Sequence, residues 1–180
     1  KRIVVGITGA TGAVFGLRLL DALSEAGIET HLVVSRWGQQ TVEHECGVDL
    51  AGLRARASVF HGTGNMAATI SSGSFHTDGM VIAPCSMRTA AAIAHGVGDS
   101  LVHRAADVIL KERRRLVLVP RETPLSELHL ENLLKLARMG VAIVPPMPAF
   151  YNRPTSVEDI VDHVVARVLA NHGGPTQVTH

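Results

Sequence analysis

Short apolar runs alternate with amphipathic stretches along most of the chain. Apolar runs between turn residues are typical of buried parallel strands, and apolar residues at every third or fourth position predict helices. The pattern predicts strands at Arg2–Ile7, Glu29–Val34, Met80–Ala83, Leu116–Val119 and Val141–Val144, and helices at Ala13–Ala26, Trp37–Glu45, Ser86–Ala94, Leu101–Glu112, Ser126–Arg138 and Val157–Asn171. This alternation predicts an α/β fold with a doubly wound, mostly parallel sheet between two layers of helices.

Two parts of the chain lack such a pattern. Residues 48–65 show weak periodicity, so we expect irregular structure there, with one short strand near Ser58–His61. The polar, glycine-rich end at 173–180 predicts a disordered tail. A chain of 180 residues is long enough for one hydrophobic core, so we expect residues 1–172 to form a single domain.

Composition and charge exclude several classes of protein. Hydrophobic residues make up 46% of the chain and the mean hydropathy is +0.22, so we expect apolar surface to be buried between protomers. The net charge of +1 argues against nucleic-acid binding, and no apolar run approaches the roughly 20 residues that span a bilayer. Because the two cysteines form no disulfide framework and no signal peptide precedes the first strand, we expect a cytoplasmic protein.

A charged turn follows the predicted strand Leu116–Val119. It contains Arg121 and Glu122 between two prolines, and the preceding helix ends in Lys111 and three arginines. Open α/β sheets bind ligands at the carboxyl ends of their strands, so a cation beside a carboxylate there indicates an anionic ligand with proton chemistry nearby. A solvated helix end with a surface turn explains the same residues equally well.

Glycines mark the turn between the first strand and the first helix. Gly6, Gly9 and Gly12 are spaced so that backbone amides can approach a phosphate at the helix N-terminus. The spacing is not the GxGxxG of dinucleotide-binding proteins, and it lies one residue out of register with that of short-chain dehydrogenases. The second strand is followed by no acidic residue, and Tyr151 begins no YxxxK pair, so a dehydrogenase is not expected. A tight turn without a ligand remains an open alternative.

Small polar residues flank the strand Met80–Ala83. The segment Ser71–Ser74 precedes it, and Pro84–Thr89 follows it. Hydroxyl groups and free amides at a strand end and at the next helix start suit a phosphate or the edge of a flavin ring. Capping of the next helix is an equally good explanation of Ser86.

Together these motifs resemble the UbiX-type flavin prenyltransferases, in particular the branch named after the phenolic or hydroxyarylic acid decarboxylases, of which its members are called the B component. The resemblance covers the chain from Ile3 to about Leu169. The matching blocks are TGATGA at 8–13, HLVVSRW at 31–37, SSGSF at 71–75, PCSMRT at 84–89, RAADVILKERRRLVLVPRETPLS at 104–126, HLENLLKL at 129–136 and PPMPAFYNRP at 145–154. Each block alone is weakly specific, but the combination is highly specific.

The resemblance implies a fold, a reaction and partners. The fold is a Rossmann-like or flavodoxin-like three-layer sandwich. Members of this family bind FMN and join a dimethylallyl group from dimethylallyl phosphate to N5 and C6 of the reduced flavin, without a metal. The product, prenylated FMN, is the cofactor of UbiD-type aromatic acid decarboxylases. The family usually forms homododecamers, so a neighbouring protomer is expected to contribute to the site.

The resemblance also implies roles for individual residues. The residues expected to contact FMN are Gly9, Ala10, Thr11, Ser35, Trp37, Ser72, Ser74, Ser86, Met87, Arg88, Thr89 and Arg121. The residues expected to bind dimethylallyl phosphate are Arg104, Lys111, Arg121, Tyr151 and Arg167. The residues expected to take part in catalysis are Glu45, Glu122, Thr11 and Lys111. Thr11 stands where many members have Ser, and Trp37 is the candidate to cover the flavin or the prenyl group, although packing on the sheet would explain it equally well.

Two other functions are compatible with these motifs. A flavin-dependent cysteine decarboxylase has a PASANT block that resembles Pro84–Thr89, but Arg88 stands where that family has its catalytic Asn. A non-catalytic FMN carrier or stabilising component of a decarboxylase would need the same flavin site, but no convergence of Lys111, Arg121, Tyr151 and Arg167. The ten histidines form no HxH or HExxH pattern, so no metal site is expected.

Overall fold

Six parallel strands form the centre of the protein in the computed structural model, which describes residues 1–172. The strands are β1 (Arg2–Ile7), β2 (Glu29–Val34), β3 (Val59–His61), β4 (Gly79–Cys85), β5 (Arg115–Pro120) and β6 (Ala142–Ile143). The helices are α1 (Ala13–Glu25), α2 (Arg36–Cys46), α3 (Leu50–Ala55), α4 (Met87–His95), α5 (Leu101–Lys111), α6 (Glu127–Arg138) and α7 (Val157–His172). The predicted disordered tail at 173–180 lies outside the described residues.

The strand order β3-β2-β1-β4-β5-β6 confirms the predicted doubly wound sheet. Strands are added in one direction from β1 to β3 and in the other direction from β4 to β6. The direction reverses between β1 and β4, and loops that leave these two strands diverge to opposite faces of the sheet. Doubly wound sheets bind their ligands in the crevice at this point.

The two faces of the sheet are covered by different helices. Ile3, Val5 and Ile7 of β1 are fully buried in a core with α1 and α7. Val4 points the other way and is buried in a second core with α4, α5 and α6. Both faces of a parallel strand are thus apolar, which is why β1 reads as a continuous hydrophobic run.

The structure corrects the predicted elements in two places. Residues 50–55, expected to be irregular, form the short helix α3, because Asp49 accepts a hydrogen bond from the Gly52 amide at 2.8 Å and Leu53 is fully buried. Strand β4 continues past Ala83 to Cys85 although Pro84 has no N–H to donate. Its pairing with β5 is irregular between Ile82 and Cys85, and the Pro84 carbonyl accepts a hydrogen bond from Thr8 instead. The short strand near Ser58–His61 is confirmed as β3.

Replacement of Gly16 by Ala is expected to destabilise the protein. An added Cβ would overlap the carbonyl oxygen of Ala83 and approach the Ile7 side chain to 2.9 Å, because α1 lies directly on the sheet there. We expect Gly16→Ala to lower the free energy of unfolding by about 1–3 kcal/mol, measured by urea denaturation. Gly64→Ala is the control, since nothing lies within 4 Å of its added Cβ. A rise in stability, as helix propensity alone predicts, would contradict the close packing of α1.

Candidate functional site

A cavity of about 470 Å³ opens at the carboxyl end of the sheet, where β1 and β4 diverge. Its walls come from the loops after β1, β2, β3 and β4 and from the first turn of α5. The lining residues are Thr8, Gly9, Ser35, Arg36, Trp37, Thr63, Ser86, Arg88, Thr89, Asp99, Ser100, Val102 and His103. The volume lies in the range that small-molecule cofactors occupy in proteins.

Three helices begin at this cavity. Ser35 caps α2 by accepting a hydrogen bond from the Gly38 amide at 3.0 Å, and Ser86 caps α4 by accepting one from the Thr89 amide at 3.1 Å. Ser100 occupies the equivalent position before α5. Helix N-termini carry partial positive charge and favour anions. The cavity is therefore suited to a phosphate, and the capping interpretation of Ser86 is confirmed alongside it.

Hydrogen bonds at Thr8 join two walls of the cavity. Its hydroxyl donates to the Pro84 carbonyl at 2.8 Å and accepts from the Ser86 amide at 2.8 Å. Thr8 is almost completely buried, so these bonds are shielded from water and fix the two loops relative to each other. A ligand that contacts both loops finds them already in place.

Close packing of α2 explains one glycine of the first turn. A Cβ on Gly9 would lie 2.6 Å from the Trp37 Cβ, and one on Gly38 would lie 2.5 Å from the Ile7 carbonyl oxygen. Gly9 is therefore required for the approach of α2 as well as for the turn. Trp37 itself is 66% exposed at the mouth of the cavity, so its ring is available to cover a bound ligand, and it does not pack on the sheet.

A carboxylate is held at the start of α1. Glu45 of α2 accepts hydrogen bonds from the Thr11 hydroxyl at 2.5 Å, the Gly12 amide at 2.9 Å and the Ala13 amide at 3.1 Å. Partial burial raises the pKa of Glu45, but the three donors outweigh it, so the pKa lies below its ordinary value. Glu45 is thus an ionised carboxylate in a fixed position at neutral pH.

The turn after β5 lies at the same edge of the sheet but does not line the cavity. Glu122 accepts one hydrogen bond, from the Thr123 amide at 3.0 Å, and Arg121 forms no hydrogen bond or ion pair within residues 1–172. Tyr151 is 83% exposed and its ring meets the edge of His163 on α7 at 5.8 Å between centroids. Arg167 lies one turn further along α7. These groups are accessible to a second ligand.

Comparisons with known proteins decide the family. The profile of the flavoprotein family matches residues 1–169. A probable UbiX-like flavin prenyltransferase of Streptomyces sp. (strain D7) is 66% identical over 169 residues, which cover 93% of this chain and 84% of the relative. This chain belongs to the UbiX-like flavin prenyltransferase family. The resemblance inferred from the sequence motifs is confirmed.

Two solved structures share the UbiX-like fold with this chain. The dodecameric FMN-dependent UbiX-like decarboxylase of Escherichia coli O157:H7 has a TM-score of 0.97 at 57% identity, over 100% of this chain and 98% of that chain. AnUbiX (PadA1), solved in complex with FMN and dimethylallyl pyrophosphate, has a TM-score of 0.96 at 52% identity, over 98% of this chain and 94% of that chain. The expected three-layer α/β architecture is thereby confirmed.

Four residues expected at the UbiX-like site lie elsewhere in the single chain. Lys111 bonds to Glu112 at 2.8 Å just before β5, whereas Arg121 follows β5. The six residues of β5 place these two groups about 20 Å apart, at opposite edges of the sheet. Ser72 and Ser74 bond to each other at 2.9 Å in the loop before β4, which is also the edge that bears Lys111.

Arg104 is separate from both groups. It pairs with Asp107 at 3.0 Å and lines a smaller cavity of about 190 Å³ behind α4. Ala10 and Met87 are neighbours of the main cavity in the chain but do not line it, and the Met87 side chain is buried. The groups expected to bind the prenyl donor therefore do not converge within one copy of this UbiX-like chain, and their roles stay predictions.

Sequence reasoning missed part of the cavity. Arg36, Thr63, Asp99, Ser100 and His103 line it, although none was expected to. The strand-to-helix turns pointed to site loops, whereas α5 follows α4 directly and β3 carried no expected role. The Asp-Ser pair before an amphipathic helix is a helix-start signal that would have located the third N-terminus.

Two kinds of site are absent from residues 1–172. No three His, Cys, Asp or Glu side chains in this part of the chain are grouped so that they could hold a metal ion. None of its helices is both long and apolar enough to cross a membrane.

Proposed function

We propose that this protein is a flavin prenyltransferase that joins a dimethylallyl group from dimethylallyl phosphate to N5 and C6 of reduced FMN. The observation that carries the proposal is the cavity where three helix N-termini meet, next to the fixed carboxylate Glu45, in a chain 66% identical to a probable UbiX-like flavin prenyltransferase. Residues 1–172 would act as one domain in the cytoplasm, and the product would serve a UbiD-type decarboxylase.

The residues present fit FMN. The helix N-termini capped by Ser35 and Ser86, with Arg36 and Arg88 beside them, supply positive potential for the phosphate. Trp37 offers an exposed aromatic face for the ring system. Bound reduced FMN would supply the two nucleophilic atoms, N5 and C6, that the prenyl group joins.

Charged groups around the cavity match the charges that develop in this reaction. Departure of the phosphate leaves a cationic allyl fragment and increases negative charge on the leaving group. Arg121, Arg167 and the Tyr151 phenol would stabilise the phosphate, because preset donors act most strongly where charge develops. The ionised Glu45 would stabilise the cation, and Glu122, which bonds only to the Thr123 amide, would accept the proton lost from C6.

We further propose that Lys111 and Arg104 act in the site of a neighbouring protomer. Both are accessible, and both lie away from the cavity of their own chain. The relative from Escherichia coli O157:H7 is a dodecamer, and in such an assembly the Lys111 edge of one protomer can face the Arg121 edge of another. Four cations from two chains would then surround one donor phosphate.

One observation favours a second candidate function, that of a flavin carrier. Lys111 and Arg121 lie at opposite edges of the sheet, and a carrier has no need for these groups to converge. The cysteine decarboxylase is supported by no such observation, because Arg88 lines the cavity where that family has its catalytic Asn.

Reaction of the purified protein with reduced FMN and dimethylallyl phosphate tests the proposal. We expect mass spectrometry to detect a flavin heavier by one five-carbon prenyl unit, without added metal. The diphosphate donor is run in parallel, because AnUbiX was solved with dimethylallyl pyrophosphate. FMN that binds but stays unmodified with both donors would leave the carrier as the function.

A further inference from the structure

Three side chains of the main cavity have no role in the proposed reaction. His103 is in the first turn of α5, where its Nδ1 lies 3.1 Å from the Ser100 hydroxyl. The other ring nitrogen, Nε2, has no hydrogen-bond partner among residues 1–172. Thr63 contributes a buried hydroxyl that likewise bonds to no described residue. Buried polar atoms of this kind are expected to bond to something, since leaving them unpaired is unfavourable.

The surrounding backbone holds the His103 ring in place. Gly98 has a φ of 120°, and a Cβ there would overlap the His103 ring, so only glycine fits beside it. The Leu101 amide donates to the Thr63 carbonyl at 2.8 Å and thereby joins the β3 loop to the start of α5. The hydroxyl of Thr63 and the imidazole of His103 are thus fixed on the same side of the cavity.

The charges around His103 come from three elements. Burial lowers the pKa of its imidazole, Asp99 before α5 raises it, and Arg88 of α4 lowers it. Arg36 of α2 faces the same cavity and forms no ion pair within residues 1–172. A cation-rich wall by itself disfavours the imidazolium, whereas a dianion placed between Arg36, Arg88 and His103 would favour it.

We propose that His103, together with the hydroxyls of Ser100 and Thr63, binds the phosphate of FMN and makes the site selective for the nucleotide over riboflavin. This inference rests on the proposed flavin function and assigns the phosphate to the side of the cavity formed by α5. Because His103 takes up a proton when the phosphate dianion binds, its contribution to FMN affinity grows as the pH falls from about 8.5 to about 6.5, above the second phosphate pKa near 6.

Titration of the full-length protein with oxidised FMN and with riboflavin tests the proposal, with binding followed by flavin fluorescence. We expect His103→Gln to weaken FMN binding about 10-fold at about pH 6.5 and less at about pH 8.5, which is the loss expected for one charge-assisted hydrogen bond. Riboflavin binding should be unchanged. The control is His76→Gln, which alters an exposed histidine at the opposite edge of the sheet.

Equal losses for FMN and riboflavin, or no loss for either, would overturn the inference. If the wild-type protein binds FMN and prenylates it but His103→Gln binds FMN equally well, only this inference fails and the proposed function stands. Wild-type protein that binds neither flavin overturns both. Should the variant not assemble, phosphorus NMR of FMN bound to the wild-type protein replaces it. A phosphate resonance that does not respond to pH between about 6.5 and 8.5 would then contradict the coupling to His103.

Discussion

Two inactive variants of this chain, Lys111→Ala and Arg121→Ala, are expected to regain prenyl transfer when their protomers are co-assembled. Each variant alone should lose about 100-fold or more in rate, because each removes one cation that stabilises the departing phosphate. Co-expression with two different affinity tags and purification through both gives the mixed assembly. Its rate is measured with saturating reduced FMN and dimethylallyl phosphate.

The expected recovery follows from the positions of the two residues. Arg121 leaves β5 at the cavity edge, and Lys111 precedes β5 at the other edge, so a complete donor site needs one group from each of two chains. In a random mixture, a site has an intact Arg121 in half of the cases and receives an intact Lys111 in half of the cases. The mixed assembly should therefore show about a quarter of the wild-type rate.

A matched pair of variants controls for recovery without shared sites. Arg121 and Glu122 are neighbours in one turn and belong to the same site, so mixing Arg121→Ala with Glu122→Gln should restore nothing. Recovery in this control would show that mixing itself rescues the enzyme. If the Lys111→Ala and Arg121→Ala mixture stays inactive while the single variants are folded and bind FMN, the shared donor site is contradicted.

The sequence predicted those features of the site that depend on local structure. Ser35 and Ser86 cap helices that follow buried strands directly, and the strand, the turn and the cap are all encoded within a few consecutive residues. The order of the loops along the sheet then follows from the alternation of strands and helices. Local signals of this kind do not depend on how distant parts of the chain pack.

Features that depend on distant contacts could not be predicted in this way. Lys111 and Arg121 are ten positions apart in the sequence, and this short separation suggested one site. The extended strand between them separates the two side chains by about 20 Å, and no local pattern records the orientation of a second copy. Thr63 and His103 meet through the approach of the β3 loop to α5, which is likewise a tertiary contact.

Replacement of Glu45 by Gln is expected to slow prenyl transfer about 100-fold while leaving FMN affinity within about threefold of wild type. The carboxylate lies at the start of α1 and does not line the cavity, so FMN binding does not depend on it. Its charge is the feature that would stabilise the allyl cation. The amide carries no charge, and its NH₂ group would face the Thr11 hydroxyl or the amides of Gly12 and Ala13.

The capping role of Glu45 must be separated from its role in the reaction. Loss of the bonds to α1 should lower the free energy of unfolding by about 1 kcal/mol, a change too small to unfold the protein at the assay temperature. Glu43→Gln removes a neighbouring carboxylate on the same helix and should alter neither rate nor stability. A rate loss in Glu45→Gln that is matched by an equal loss of bound FMN would indicate a purely structural residue.

The pH dependence distinguishes the charge of Glu45 from proton transfer by it. The hydrogen bonds from Thr11, Gly12 and Ala13 hold the pKa of Glu45 below its ordinary value, so the carboxylate is charged in both unfolded and folded chains at neutral pH. Its stabilising bonds are fully present above the ordinary carboxyl pKa and are lost only as the pH falls through the lowered value. The difference in unfolding free energy between wild type and Glu45→Gln should therefore be constant near neutral pH and shrink below about pH 4. A difference that instead changes between about pH 6 and 8 would mean that Glu45 titrates there, and it would assign to Glu45 the proton-accepting role that we give to Glu122.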